Sequence, residues 1–267
     1  MPDTLLVEVG RYRIGEQGFA LDQPGVHRFY SLGGETVQRL VRPPDPESLL
    51  RHVGWLWGYG STDEGEPAAD DLQALGRAPR FLGCSRLAFL AVRLFGEAGL
   101  PARVAGLATA EVWNGHDDGH TLAEVMLPDI GWVAYDPGFH GFPAIDGRRV
   151  PVLEWVDAVR EGAAADWLPL PGNPPLAPFR HSGFDYGPWV AERALSADAL
   201  KAWYRRLAGT TLQWWCDRFY ACADQVSPEA LPFMAASNHQ MLERRLFLDL
   251  FYSPAPEPRL SLRSPPP

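Results

Sequence analysis

Along FLGCSRLAFLAVRLFGEAGLPARV, residues 81–104, apolar side chains recur at Leu87, Leu90, Ala91, Leu94, Phe95 and Ala98, the i, i+3, i+4, i+7 spacing of a single helical face. Arg86, Arg93 and Glu97 fall together elsewhere on the same wheel. Gly99 supplies a C-terminal stop and Pro101 forbids continuation, so the pattern predicts a helix with Cys84 in its first turn. Upstream, residues 4–42 mix short strand-like runs, LLVEVGRYRI and VHRFYSL, with Gly and Pro punctuation. PDPESLLRHVGWLWGYG then turns helical, with Asp45 as N-cap, Pro46 at the first helical position and Leu49, Leu50 and Val53 at helical spacing. Residues 61–80, acidic and containing Gly, Ala and Pro, read as a loop.

Downstream of the Cys84 helix, residues 102–112, 120–127 and 131–137 read as strands, the last two separated by a turn at Pro128, Asp129 and Ile130. One helix feeding an antiparallel sheet makes the fold class α+β. A short helix is predicted over 151–161, and residues 168–188 form a proline-rich connector. Further helices are predicted at 189–208, 210–225 and 238–252, the last opened by Ser237 with Gln240 at capping-box spacing. SPAPEPRLSLRSPPP reads as a loose tail.

Composition narrows the function classes. Hydrophobic residues at 46% and charged residues at 21% are those of a globular protein, and no apolar run is long enough to span a bilayer. Met1–Gly10 lacks the basic, apolar and small-residue order of a signal peptide, so a cytoplasmic location is expected. A formal charge of −9 argues against nucleic acid or an anionic membrane as partner. The three cysteines, Cys84, Cys216 and Cys222, form no CxxC and leave an odd thiol, which disfavours a disulfide framework or a cysteine-rich zinc site. On one helix, Cys216 and Cys222 would face different ways, which argues against a bridge between them. The chain has no GxxxxGK[ST], strand-placed GxGxxG or HExxH motif, and no cofactor is expected.

A thiol at a helix N-terminus faces unpaired backbone N–H groups and the positive end of the macrodipole, which favours the thiolate; the same N–H groups can donate to an oxyanion. Such a nucleophile needs a base within reach and an acceptor that orients the base. His120, at the start of one predicted strand, and Asp136, near the end of the next, supply them in chain order. Hairpin parity tests the pairing. A two- or four-residue loop would turn His120 and Asp136 to opposite faces, whereas a three-residue loop at 129–131 restores one face but sets Asp136 across from Glu124. A bulge or strong twist is then required to bring Asp136 to His120.

These residues also carry a resemblance. Cys84 opening a helix, Gly99, Leu100, Pro101, Ala102 and Arg103 after it, then His120, Glu124 and Val125, then Trp132, Asp136 and Pro137 resemble the transglutaminase-like superfamily over roughly residues 80–137. The resemblance implies a papain-like core in which Cys84 is the nucleophile, His120 the general base and acid, and Asp136 the orienting carboxylate. It also implies a second oxyanion donor upstream of the cysteine, for which the indoles of Trp57 or Trp55 qualify. Leu122 stands where many relatives carry an aromatic, and Ser85 and Arg86 follow the cysteine.

The expectation is therefore a transglutaminase-like core with an N-terminal elaboration over 1–165, a proline-rich connector and helical extension packed on it over 166–252, and a tail over 253–267. The expected chemistry is thiol-dependent acyl-enzyme catalysis on a peptide, amide or acyl substrate. Hydrolysis ranks ahead, transfer to an amine acceptor is the alternative, and a non-catalytic binding scaffold is the second alternative. Trp132 and Glu124 join Trp57 and Trp55 as groove candidates, with Glu124 open between supporting the site and ending a strand face. HDDGH with His140 has metal-ligating residue types, but its Gly-flanked sequence reads as a polar loop and no metal is expected. Most of the ten tryptophans are expected in the core, with Trp214, Trp215 and the run RRLFLDLF packing C-terminal helices on the domain.

Overall fold

The computed structural model describes residues 4–7, 10–14, 17–21, 25–32, 35–42, 46–53, 57–60, 80–114, 118–170 and 197–253. The N-terminal strands are β1 (Thr4–Val7), β2 (Gly10–Ile14), β3 (Gln17–Leu21), β4 (Gly25–Leu32) and β5 (Glu35–Arg42), in a three-stranded sheet β1-β4-β5 and a β2-β3 ribbon. Helix α1 (Pro46–Val53) begins at Pro46 as expected and buries Leu49 and Leu50; its expected cap, Asp45, lies outside the described residues.

Strand β6 (Trp57–Tyr59) runs parallel to β7 (Arg80–Leu82), which leads directly into α2 (Cys84–Glu97). The whole expected stripe, Leu87, Leu90, Ala91, Leu94, Phe95 and Ala98, is buried. Gly99, at φ 83°, ends the helix, with its N–H donating to the Gly96 carbonyl and that of Leu100 to Phe95, the paired bonds of a Schellman stop.

The main sheet has six strands in the order β10-β9-β8-β14-β15-β16. The first three are β8 (Ala102–Ala108), β9 (Gly119–Leu127) and β10 (Gly131–Tyr135), antiparallel to one another. Val104, Ala123, Val125, Val133 and Tyr135 pack toward α2, while Ala105, Leu107, Leu122 and Ala134 pack in a second cluster. That cluster draws on α3 (Val152–Arg160) and α4 (Ala197–Leu207). With both faces covered, these strands are apolar almost throughout and show little alternation. A small sheet of β11 (Gly141–Ile145), β12 (Arg148–Arg149) and β13 (Ala165–Pro169) follows β10.

The C-terminal part departs from expectation. Residues 210–225 form a hairpin, β14 (Thr210–Trp215) and β15 (Arg218–Cys222), followed by a short 3-10 turn, and not a helix. Thr210, Thr211, Trp214, Trp215, Phe219 and Tyr220 are residue types that fit a pleated sheet, and β14 takes its place beside β8. The turn is Cys216–Asp217, both at positive φ (47° and 61°), the conformation of a tight hairpin without the Asn or Gly that usually announces it. Cys216 is therefore exposed in a turn and Cys222 buried in a strand, and the helical placement of both is corrected. Over 238–252 the helix is only α6 (Arg244–Phe251), preceded by β16 (Gln240–Leu242). Ser237 ends α5 (Leu231–Ala236) instead of opening a helix, because Asn238 takes a left-handed conformation (φ 57°) and His239 N–H bonds back to Met234. Residues 171–196 and 254–267, where the connector, the start of the 189–208 helix and the tail were expected, lie largely or wholly outside the described residues.

A buried ionic hub ties these parts together. Glu124 is fully buried and accepts from Arg103 (Nε 2.8 Å, Nη2 2.5 Å), the Val152 N–H (2.7 Å), Gln213 (2.9 Å) and the Tyr252 hydroxyl (3.0 Å). Arg103 also donates to the Phe251 carbonyl at the end of α6, and its guanidinium lies 3.9 Å from the Trp132 ring centroid and 4.3 Å from that of Tyr252. Removing one member of a buried pair strands the other charge, so Arg103→Met is expected to cost about 3–5 kcal/mol. Urea denaturation measures it; a midpoint unchanged from wild type would contradict the hub's structural role.

Candidate active site

Strand β6 lies against β7 with Tyr59 opposite Leu82, which sets the Trp57–Tyr59 face beside the start of α2. Cys84 is the first residue of that helix and is half-buried. No side chain caps the first turn and no acidic residue lies in it, so the helix dipole acts on the thiol undiminished. The turn is fastened to β9 by a hydrogen bond between the Ser85 and Thr121 hydroxyls (3.0 Å). His120 immediately precedes Thr121, so thiol and imidazole meet where the sheet begins.

The His120–Asp136 pairing is direct, at 2.8 Å from Nε2 to Oδ2. The β9–β10 loop covers 128–130, the turn expected from the sequence and one position earlier than the 129–131 loop of the parity argument. Tyr135 therefore opposes Ala123, and Asp136 continues opposite Leu122, a diagonal neighbour of His120 on the same face. The register runs uninterrupted from Gly131 to Tyr135, and no bulge is required. Asp136 is wholly buried and saturated. Its Oδ1 accepts from the N–H groups of Gly138 (2.7 Å) and Phe139 (3.1 Å), and its Oδ2 accepts from the Tyr204 hydroxyl besides His120. The backbone of Asp136 is clamped to Gly141 by two hydrogen bonds (2.8 and 3.2 Å), and a Cβ at Gly141 would meet the Trp167 ring at 1.9 Å, so glycine is required for that turn.

Aromatic rings surround His120: Trp203 at 4.9 Å between centroids, Phe139 at 5.6 Å, Tyr204 at 5.9 Å and Tyr59 at 6.2 Å. Burial would strip the imidazole of its proton, but the charge of Asp136 and hydrogen bonds to Asp136 and Cys84 outweigh it and raise the His120 pKa to about 10. For Cys84, burial pushes the thiol up, yet the hydrogen bond and charge of His120, with help from Thr121 and the Tyr59 hydroxyl, lower it to about 7. Between those values the pair is thiolate and imidazolium. His120 Nδ1, the nitrogen not given to Asp136, has no hydrogen bond of standard geometry among the described residues and is the one left for the sulfur.

Of the other expected residues, Trp57 is buried on the Tyr59 side of β6, and its indole N–H has no hydrogen-bond partner among the described residues. Trp55 lies outside the described residues. Trp132 does not join the groove: it pairs with Met126, six residues along β9 from His120, or about 20 Å at ~3.4 Å per residue, and stacks on Arg103. Glu124 is likewise corrected as a groove residue, since every bond it makes belongs to the Arg103 hub. His116 and Asp117 fall outside the described residues, Asp118 pairs with Arg206 (3.1 Å), and burial lowers the His140 pKa to about 4 despite Asp136 nearby. Among the described residues no three His, Cys, Asp or Glu side chains are grouped to hold a metal.

Sequence reasoning missed Tyr59, Phe139, Trp203 and Tyr204. Tyr59 had a local signal, since it sits two residues after Trp57 and so on the same strand face. Trp203 and Tyr204 had none, because only the tertiary fold returns α4 to His120.

Residues 57–137 match the model of the transglutaminase-like superfamily. The match covers less than a third of the chain, starting at Trp57 and ending just after Asp136. No curated protein and no solved structure matches the chain significantly. The transglutaminase-like match points to cysteine-based catalysis in general, without separating hydrolysis from acyl transfer. No helix among the described residues is long and apolar enough to cross a membrane.

The lowered Cys84 pKa sets a labelling test. Chloroacetamide should modify Cys84 with a pH midpoint near 7, while Cys222, whose thiol burial raises to about 12, stays unmodified. A Cys84 midpoint at the free-thiol value of ~8.5, read by mass spectrometry, would contradict the coupling to His120.

Proposed function

We propose that the protein performs thiol-dependent acyl-enzyme catalysis on an amide or peptide substrate. The observation that carries this reading is the thiol at an uncapped helix start coupled to a buried imidazole, itself bonded to a buried carboxylate at 2.8 Å. The Cys84 thiolate attacks the substrate carbonyl carbon; a C–S bond forms and the carbonyl electrons move to oxygen. The first-turn N–H groups of α2 serve that oxyanion, with the buried Trp57 indole N–H, which has no hydrogen bond among the described residues, as the second donor in this reading. As the intermediate collapses, the C–N bond breaks and the His120 imidazolium gives its proton to the departing amine. The neutral imidazole then takes a proton from water attacking the thioester, the acid leaves, and the thiolate–imidazolium pair is restored. Asp136 holds the ring and stabilises its charge throughout.

Hydrolysis is the first reading. Transfer of the acyl group to an amine is the second, favoured by the four aromatic rings around His120, which limit the water that competes for the thioester.

p-Nitrophenyl acetate tests the chemistry. Wild type should release a burst of nitrophenol with one acetyl group on Cys84, and Cys84→Ala should abolish both. Trp57→Phe should slow acetylation about a hundredfold, the usual effect of losing one oxyanion donor, while leaving chloroacetamide alkylation, which forms no oxyanion, unchanged. Adding methylamine and finding N-methylacetamide in place of acetate would favour the transfer reading. An unacetylated Cys84 would leave a binding scaffold and overturn the proposal.

A further inference from the structure

The thiol, imidazole and carboxylate all fall within residues 57–137, but two of the side chains against them come from α4, far outside that segment. Tyr204 donates its hydroxyl to Asp136 Oδ2, the same oxygen that accepts from His120. An ionised carboxylate only accepts, so the phenol is the donor. Tyr204 is fully buried and held on several sides, stacked on Trp167 (5.7 Å, 24°) with Trp155 at 6.0 Å and Trp203 at 5.4 Å. It therefore has little freedom to turn its hydroxyl away. Trp203, edge-on to His120 at 4.9 Å, covers the imidazole and keeps water from these bonds.

We propose that Tyr204 is a positioning residue that tunes the His120 proton through Asp136, making α4 a working part of the catalytic centre. This rests on the acyl-enzyme reading and says how its proton transfer is kept possible. A buried carboxylate facing an imidazolium alone would hold the proton too tightly to release it to a leaving amine. Two donors on Oδ2 divide its charge, so the imidazolium stays stable enough to keep Cys84 ionised and acidic enough to protonate the departing nitrogen. Because Gly138 and Phe139 already fix Oδ1, the Tyr204 hydroxyl sets both the direction and the basicity of Oδ2.

The test uses the full chain and follows chloroacetamide labelling of Cys84 against pH in wild type, Tyr204→Phe, Asp136→Asn and the double variant, alongside thermal unfolding. Tyr204→Phe keeps the ring and its packing. Freed of the competing donor, Asp136 should hold the His120 proton more strongly, and the labelling midpoint should move to lower pH. Labelling below the midpoint should then rise about three- to tenfold, up to one pKa unit. Acetylation by p-nitrophenyl acetate should not gain in step, and release of an amide leaving group should slow. In the Asp136→Asn background, adding Tyr204→Phe should change nothing.

Coincident profiles for wild type and Tyr204→Phe would overturn the proposal, as would an equal shift with and without the Asp136 carboxylate. Should Asp136→Asn fail to fold, the low-field proton resonance on His120 Nε2 decides: Tyr204→Phe displaces it if the two donors share Oδ2, and an unmoved resonance overturns the claim. A wild-type midpoint at the free-thiol value is a different failure, since it removes the catalytic reading itself before Tyr204 enters.

Discussion

Asp136 keeps a proton on His120 in a place where burial alone would remove it. Taking an imidazolium out of water costs several kcal/mol unless a counter-charge lies close, and a carboxylate oxygen at 2.8 Å is that counter-charge. The carboxylate is equally buried and must itself be stabilised, which the two N–H groups after it, the imidazole and the Tyr204 hydroxyl accomplish. The lowered thiol follows from this arrangement, because His120 can favour a thiolate only while it remains charged.

The rest of the fold serves two separated buried charges on one strand. At its start, β9 carries His120, fastened through Thr121 to the helix that presents Cys84. Four residues on, it carries Glu124, the hub that joins β8, α3, β14 and the end of α6. The hub saturates the Glu124 carboxylate, and its Gln213 amide oxygen has no hydrogen bond among the described residues; at the site, His120 Nδ1 faces the Cys84 sulfur and the Trp57 indole N–H has no hydrogen bond among the described residues.

The Cys84 helix, its buried stripe and its glycine stop were legible because each is local: spacing, a turn and a left-handed residue. The β8–β10 strands were legible for the same reason, and so was the turn at 128–130; the parity argument shifted that loop by one residue and so missed that it sets Asp136 on the diagonal from His120. What was not legible depends on context. Cys216–Asp217 makes a tight turn without the Asn or Gly that usually marks a two-residue hairpin, so β14 and β15 read as a helix. Ser237 has the spacing of a helix start, but Asn238 behind it closes the preceding helix. Glu124 and Trp132 sit beside the motif in sequence and far from the thiol in space, while Trp203 and Tyr204 lie far in sequence and against the imidazole. Residue type and order singled out Cys84, His120 and Asp136, whose side chains the fold brings together; only packing assigns their neighbours.

The charge state of His120 is the quantity on which the account stands. Nitrogen-15 chemical shifts of its ring, recorded by NMR on the resting protein across the neutral range, report it directly. The account predicts that both ring nitrogens carry protons from neutrality until well into the alkaline range. A ring with one bare nitrogen at neutral pH would mean that thiol and imidazole face each other uncharged, and would contradict it.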